Sequence, residues 1–374
     1  MNKRVEEIDI VKALGIILMV IGHSSSPFTK FIYLFHMPIF FIASGFLYNE
    51  KNSKSFSDIK NYIKNKFRSL WFPYALWNSI FVLFNNIFIQ LNIYTNNPLL
   101  LEYANGTHVM LHDKLSFLEM VIDIIKSLLF VGSTEMGGAL WFLRVLFVLS
   151  ILYCLMDFIM SKIFRKQKIC IHFIISVVFL FIGYQCGIHN INLYGLGQVF
   201  SFYILFYIGH ILNRVKSVYA EWDYKRFMPI LLCSYLALFM LSQNIGEGFE
   251  PGANSYKSPQ LLLICSVFGW MLLYSASNII KQFKSIKKLL ILIGQDTISI
   301  VILHFLCFKV VSVCISHIYN LPSFCIATFP NLYGSIGGWW VAYTVVGVCL
   351  PVVLYEGYKG IKNYIYRKIP FHNI

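Results

Sequence analysis

Residues 9–48 read DIVKALGIILMVIGHSSSPFTKFIYLFHMPIFFIASGFLY. Two apolar helices joined by a short polar turn account for this pattern, and helices of this kind are built to lie in a membrane. Yet they carry Asp9, Lys12, His23 and His36. Such groups cost roughly 3 kcal/mol or more at membrane depth unless they face a protein interior or a wet cavity. Lys12 and His23 are 11 residues apart, so at ~100° and ~1.5 Å per residue they share one helix face across a rise of roughly 16 Å. The turn after Ser26 sends the chain back, which returns His36 to about the depth of His23. One cation low and two imidazoles high form a polar track across half a bilayer.

The remainder of the chain extends the same reading. Of its 374 residues 57% are hydrophobic and 13% charged, with a mean hydropathy of +0.66, which excludes a soluble catalytic domain. Apolar runs fall near residues 9–26, 31–48, 69–91, 140–160, 169–186, 194–212, 227–243, 259–279, 290–316 and 337–356, predicting about ten transmembrane helices in one domain over 1–374. Glu6, Glu7, Asp9 and Lys12 interrupt the start of the first run, so it is expected to be retained and not cleaved as a signal peptide. The net charge of +14 is a matter of topology, because with cytoplasmic termini the inner segments hold 24 of the 31 Lys and Arg. Nucleic acid is not an expected partner. The nine cysteines form no CxxC pair and no Cys/His ligand spacing, so no metal is expected and they read as apolar fillers.

Four further places carry chemistry. Lys64, Lys66 and Arg68 crowd a membrane boundary, and Lys64 and Arg68 at i and i+4 share a helix face from which they can clamp a phosphate. In the outer segment 92–139, SFLEMVIDIIKSLLFVG repeats its polar residues at helical spacing and predicts a surface amphipathic helix. Arg144 lies about a turn inside a span and needs a carboxylate, a carbonyl or an anionic ligand, with Glu135 as a candidate partner. His304 and Lys309 lie deep in the ninth span, where a neighbouring hydroxyl is the plain way to satisfy the imidazole.

Asp9-x-x-Lys12 followed by His23, FHMPIFFIASGFL from Phe35, KNKFRSLWFPY from Lys64, LWFL from Leu140 and GQDTISIVILH from Gly294 together resemble acyltransferase family 3 of bacterial membrane acyltransferases, in particular its fucose 4-O-acetylase-like branch of sugar O-acetyltransferases. Where many members have Arg, this chain has Lys12, which keeps the charge and loses the bidentate fork. The resemblance implies an enzyme of the bacterial cytoplasmic membrane that moves an acyl group, usually acetyl from acetyl-CoA, to a hydroxyl of a cell-surface glycan or its lipid-linked precursor. It implies His23 as base or transient acyl carrier, with Asp9, Lys12 and His36 in the catalytic group. Lys64, Lys66, Arg68 and Arg144 then bind the donor or its oxyanion, and Glu135, Trp141 and His304 the acceptor. A transporter or flippase for a lipid-linked glycan, using the same His, Lys and Asp as a proton relay, is the alternative; a structural role for the buried polar groups is a third.

Overall fold

The computed structural model describes residues 5–103, 110–191, 194–245 and 249–368; the basic residues Lys3 and Arg4 lie outside them. The fold is all-α. Helix α1 (Glu6–His23) is followed by the short α2 (Thr29–Tyr33) and by α3 (Pro38–Phe46), then α4 (Phe56–Lys66), α5 (Phe72–Leu83), α6 (Asn85–Gln90), α7 (Leu100–Tyr103) and α8 (Phe117–Leu128). The long helices α9 (Trp141–Ile163), α10 (Lys168–Ile188) and α11 (Leu196–Arg214) come next, then the one-turn α12 (Lys216–Tyr219), α13 (Tyr224–Ile245), α14 (Pro259–Ile280), α15 (Lys284–Gln295), α16 (Thr297–Ile318) and α17 (Trp339–Lys368).

Eight segments are long and apolar enough to cross a membrane: Thr29–Phe46, Gly138–Ile163, Lys168–Ile188, Leu196–Arg214, Tyr224–Ile245, Pro259–Ile280, Thr297–Ile318 and Trp339–Tyr364. The chain is therefore a polytopic helical membrane protein, with three differences from the ten predicted spans. Four charged residues lie in α1, beyond what an apolar span holds, and most of the helix is buried inside the bundle. Residues 69–91 are not one helix: a π-helical turn (Phe67–Trp71) leads into α5, and the chain breaks again at Phe84 before α6. The predicted span 290–316 is also divided, at Asp296, into α15 and α16.

Around the central α1, the segments 29–46, α9, α11 and α16 are mostly buried, whereas α10, α13 and α17 turn most of their surface outward. The outward side chains are apolar, as with Leu232, Leu236, Phe239 and Met240 on α13, which is how a helix rim meets lipid. Inside, glycines let backbones touch. A Cβ at Gly45 would collide with the Phe206 carbonyl and one at Gly209 with the Ile42 carbonyl, so α3 and α11 pack backbone to backbone. Gly294 of α15 likewise sits against the Asp9 carbonyl. Lys281 and Lys287 tie the same region to α1 through Glu7 (3.2 Å) and Glu6 (3.1 Å). Helix α8 starts at a capping box formed by Ser116 and Glu119 and packs against α5, with Trp71 Nε1 donating to the Leu128 carbonyl at 3.2 Å.

Candidate active site

Helix α1 carries one group at each end. At its start Lys12 Nζ pairs with Asp9 at 2.8 Å, Asp9 being buried and Lys12 partly open. At its last residue stands His23, half-buried. These two places mark the Lys12 end and the His23 end of the bundle.

The His23 imidazole packs against three rings: Phe305 at 5.0 Å between centroids, His304 at 5.5 Å and Tyr33 at 6.2 Å. Tyr33 Oη lies 3.4 Å from His23 Nδ1, and the Tyr33 ring also contacts His36 at 5.1 Å. Tyr33 thus bridges the two histidines. His36 Nδ1 donates to the Ile32 carbonyl at 3.0 Å, and His304 Nδ1 donates to the Ile300 carbonyl at 2.9 Å. A carbonyl, not the anticipated hydroxyl, satisfies His304. With the proton fixed on Nδ1, Nε2 of a neutral His304 is a lone-pair acceptor, and it is buried without a hydrogen-bond partner among the described residues. A buried acceptor left open beside a histidine can accept a hydrogen bond from a donor that enters the site.

The turn after His23 is held from far along the chain. Ser25 has φ of +60°, the left-handed region that a serine enters at a cost. Asn331 Nδ2 reaches the His23 carbonyl at 2.8 Å and Ser25 Oγ at 2.9 Å, while its Oδ1 accepts from Gly334 N at 3.0 Å. Lys309, almost fully buried, donates to the carbonyls of Ile326, Ala327 and Thr328 at 3.1, 3.1 and 2.9 Å. That ammonium anchors the segment leading to Phe329, whose ring packs on Phe305 at 4.6 Å, and to Asn331. Neither Asn331 nor Tyr33 carries a signal in the sequence: each gains its role from a fold partner.

At the Lys12 end the three boundary cations part company. Lys64 and Arg68 are exposed, and the π-helical turn that starts at Phe67 separates them, so they do not form the regular i, i+4 pair expected. Lys66 turns inward, with Nζ 5.2 Å from the Tyr62 ring centroid, and burial there pushes its pKa down to about 8. None of the three pairs with a carboxylate among the described residues. The same end holds a polar network that hydropathy conceals. Asp157, fully buried on α9, pairs with Lys168 (2.8 Å) and accepts from Ser53 (2.5 Å) and Tyr48 (3.2 Å). His172 donates to or accepts from Tyr203 at 2.6 Å and lies 4.0 Å from Asp157, and Glu50 binds Arg214 (2.7 Å) and His210 (3.4 Å). These histidines stitch α9, α10 and α11 to the segment after α3.

The remaining predicted residues gather at the His23 end. Glu135 is not the partner of Arg144; it meets His112 Nε2 at 3.0 Å. Arg144 donates from Nη1 to the Phe130 carbonyl at 3.1 Å and lines a cavity between the start of α11, the end of α10 and residues 252–254. Trp141 packs its indole on Gly252 at the same place. Among the described residues no group of three or more His, Cys, Asp or Glu is arranged to hold a metal ion.

The fold and this arrangement define a polytopic membrane protein in which one buried helix joins a Lys–Asp ion pair to a histidine cluster. Residues 5–356 match the family described as "Acyltransferase domain", so the chain belongs to acyltransferase family 3 and is a membrane acyltransferase. No match is found among curated proteins, and none among solved structures.

Proposed function

We propose that the protein is an O-acetyltransferase of the bacterial cytoplasmic membrane, in the sugar O-acetyltransferase branch of its family. In this reading it takes acetyl from cytoplasmic acetyl-CoA at the Lys12 end and passes it to a hydroxyl of a surface glycan or its lipid-linked precursor at the His23 end. The observation that carries the reading is α1 itself, which holds Lys12 and His23 on one continuous helix joining the two ends of the bundle. A donor on one side and an acceptor on the other need such a connection.

The chemistry assigned to each group follows from its surroundings. Lys64, Lys66 and Arg68, free of carboxylate partners among the described residues, supply cations for the CoA phosphates. Lys12, fixed by Asp9, offers its charge toward the donor path. When His23 Nδ1 donates to Tyr33 Oη, Nε2 is free to take the proton of the acceptor hydroxyl. The sugar oxygen then attacks the thioester carbonyl, the C–S bond breaks, and the CoA thiolate leaves with the proton that His23 returns. The acyl-carrier variant has Nε2 attack the thioester first and the sugar displace it afterwards. His304 Nε2, the open acceptor beside His23, receives the second hydrogen bond that orients the sugar.

The test is vectorial. Proteoliposomes loaded with labelled acetyl-CoA and supplied externally with a bacterial glycan extract are expected to place label on external glycan and CoA in the lumen. Movement of a lipid-linked sugar without consumption of acetyl-CoA refutes the proposal in favour of a carrier.

A further inference from the structure

We infer that the cavity beside Arg144 is an acceptor subsite for an anionic sugar unit, one that binds the carboxylate of an acidic glycan. The inference rests on the acyltransferase reading for the word acceptor, but the site is argued from its own geometry. The cavity measures about 360 Å³ and is lined by Arg144, Asn190, Gln198 and Asn254, with backbone from Gly195 and Gly252. That volume lies within the usual range for small-molecule sites of roughly 300–1,000 Å³. Its polar lining suits a sugar better than a lipid chain.

The guanidinium is presented for a bidentate ligand. Nη1 is spent on the Phe130 carbonyl, whereas Nε is buried and unpartnered among the described residues. A Cβ placed at Gly195 would lie 3.3 Å from both Nε and Nη2. These two nitrogens form one edge of the guanidinium, the edge that takes a carboxylate side-on. Gly195, with φ of +85°, keeps a side chain off that edge, which a Cβ at this position would crowd. Around it the amides are held in place: Gln198 Nε2 donates to the Gly252 carbonyl, and Asn254 Nδ2 donates to the Gly183 carbonyl at 2.8 Å while Ser201 Oγ donates to Asn254 Oδ1 at 2.9 Å. No carboxylate of the described residues pairs with Arg144, and an arginine a turn inside a span is costly without an anion.

Packed residues join the cavity to the histidine cluster. Gly252 abuts Trp141, and Gly138, three residues before Trp141, faces the Phe305 ring, which packs on His23 at 5.0 Å. A polymeric acceptor can therefore seat an acidic unit at Arg144 while a neighbouring unit offers its hydroxyl to His23.

The experiment uses the full chain in nanodiscs of neutral phosphatidylcholine, without acyl donor. Titrations with oligomers of glucuronate, galacturonate and mannuronate are compared with their carboxyl-reduced counterparts. Wild type is expected to bind at least one uronate oligomer about tenfold more tightly than its neutral form, and Arg144→Gln to reduce that preference below about threefold. Equal affinity of wild type for every acidic and neutral pair overturns the inference, and this arm needs no variant to fold. Binding of phosphatidylglycerol by wild type that Arg144→Gln abolishes, with no sugar preference in either protein, assigns the arginine to lipid and also overturns it. Acyl transfer is measured separately: a uronate preference without any transfer upholds the anionic site and refutes the transferase reading, and transfer without the preference refutes the site alone.

Discussion

Replacing Asn331 with alanine removes a side chain that braces the end of α1 from far along the chain. Its amide donates to the His23 carbonyl and to Ser25 Oγ and accepts from Gly334 N, all within 3.0 Å. Two of these groups, the His23 carbonyl and the Gly334 N–H, are left without their hydrogen bond to Asn331 in the variant. A stranded group costs ~1–3 kcal/mol, so the loss of stability is expected to be about 2–6 kcal/mol. Ser25 is left in the left-handed region without its brace, a conformation that costs a residue with a Cβ roughly 1–2 kcal/mol. Adding Ser25→Gly to Asn331→Ala is therefore expected to recover about 1 kcal/mol, since glycine adopts that conformation freely. Activity should suffer more than stability, because a displacement of ~1 Å at a reacting group is worth on the order of 100-fold. Steady-state acyl transfer in nanodiscs is expected to show turnover lowered by at least about tenfold with the donor KM within about twofold of wild type. Thermal unfolding of the single and double variants measures the other half. Full turnover in a folded Asn331→Ala protein, or no recovery from Ser25→Gly, refutes the proposed positioning of His23.

Three further outcomes are expected from the same geometry. Lys66 has a pKa pushed down by burial to about 8, so it is charged below that pH and neutral above it; the donor KM is expected to rise as pH passes through about 8, and Lys66→Arg to remove the rise. Lys309→Met strands the carbonyls of Ile326, Ala327 and Thr328 and should lower stability by about 2–4 kcal/mol, read as earlier thermal unfolding and faster proteolysis near residues 323–328. Gly209→Val drives a side chain into the Ile42 carbonyl and Phe46 nitrogen; overpacking of this kind costs more than about 3 kcal/mol when backbone must move, and size-exclusion chromatography should show loss of the monodisperse peak.

The sequence made the architecture legible through its apolar runs, and the two ends of α1 through ionisable residues out of place in such runs. The breaks were harder to see. The division at Asp296 depends on α15 lying against α1, with Gly294 on the Asp9 carbonyl and Lys287 on Glu6, and an averaged hydropathy smooths over one polar pair. The network of His172 and His210 carries no local signal, because their partners, Asp157 and Glu50, come from other elements. Asn331 belongs to a segment with no motif, and its partners at the end of α1 stand more than 300 residues away. The turn after Ser26 puts His36 at the depth of His23, and packing adds His304 from the far end of the chain and places Tyr33 between the nearer two.

The most direct measurement compares wild type and His23→Ala in lipid with labelled acetyl-CoA, following CoA release and label on added glycan while size-exclusion chromatography reports folding. The account predicts CoA release and glycan labelling by wild type and neither by a folded His23→Ala protein. Glycan labelling by His23→Ala at the wild-type rate contradicts it.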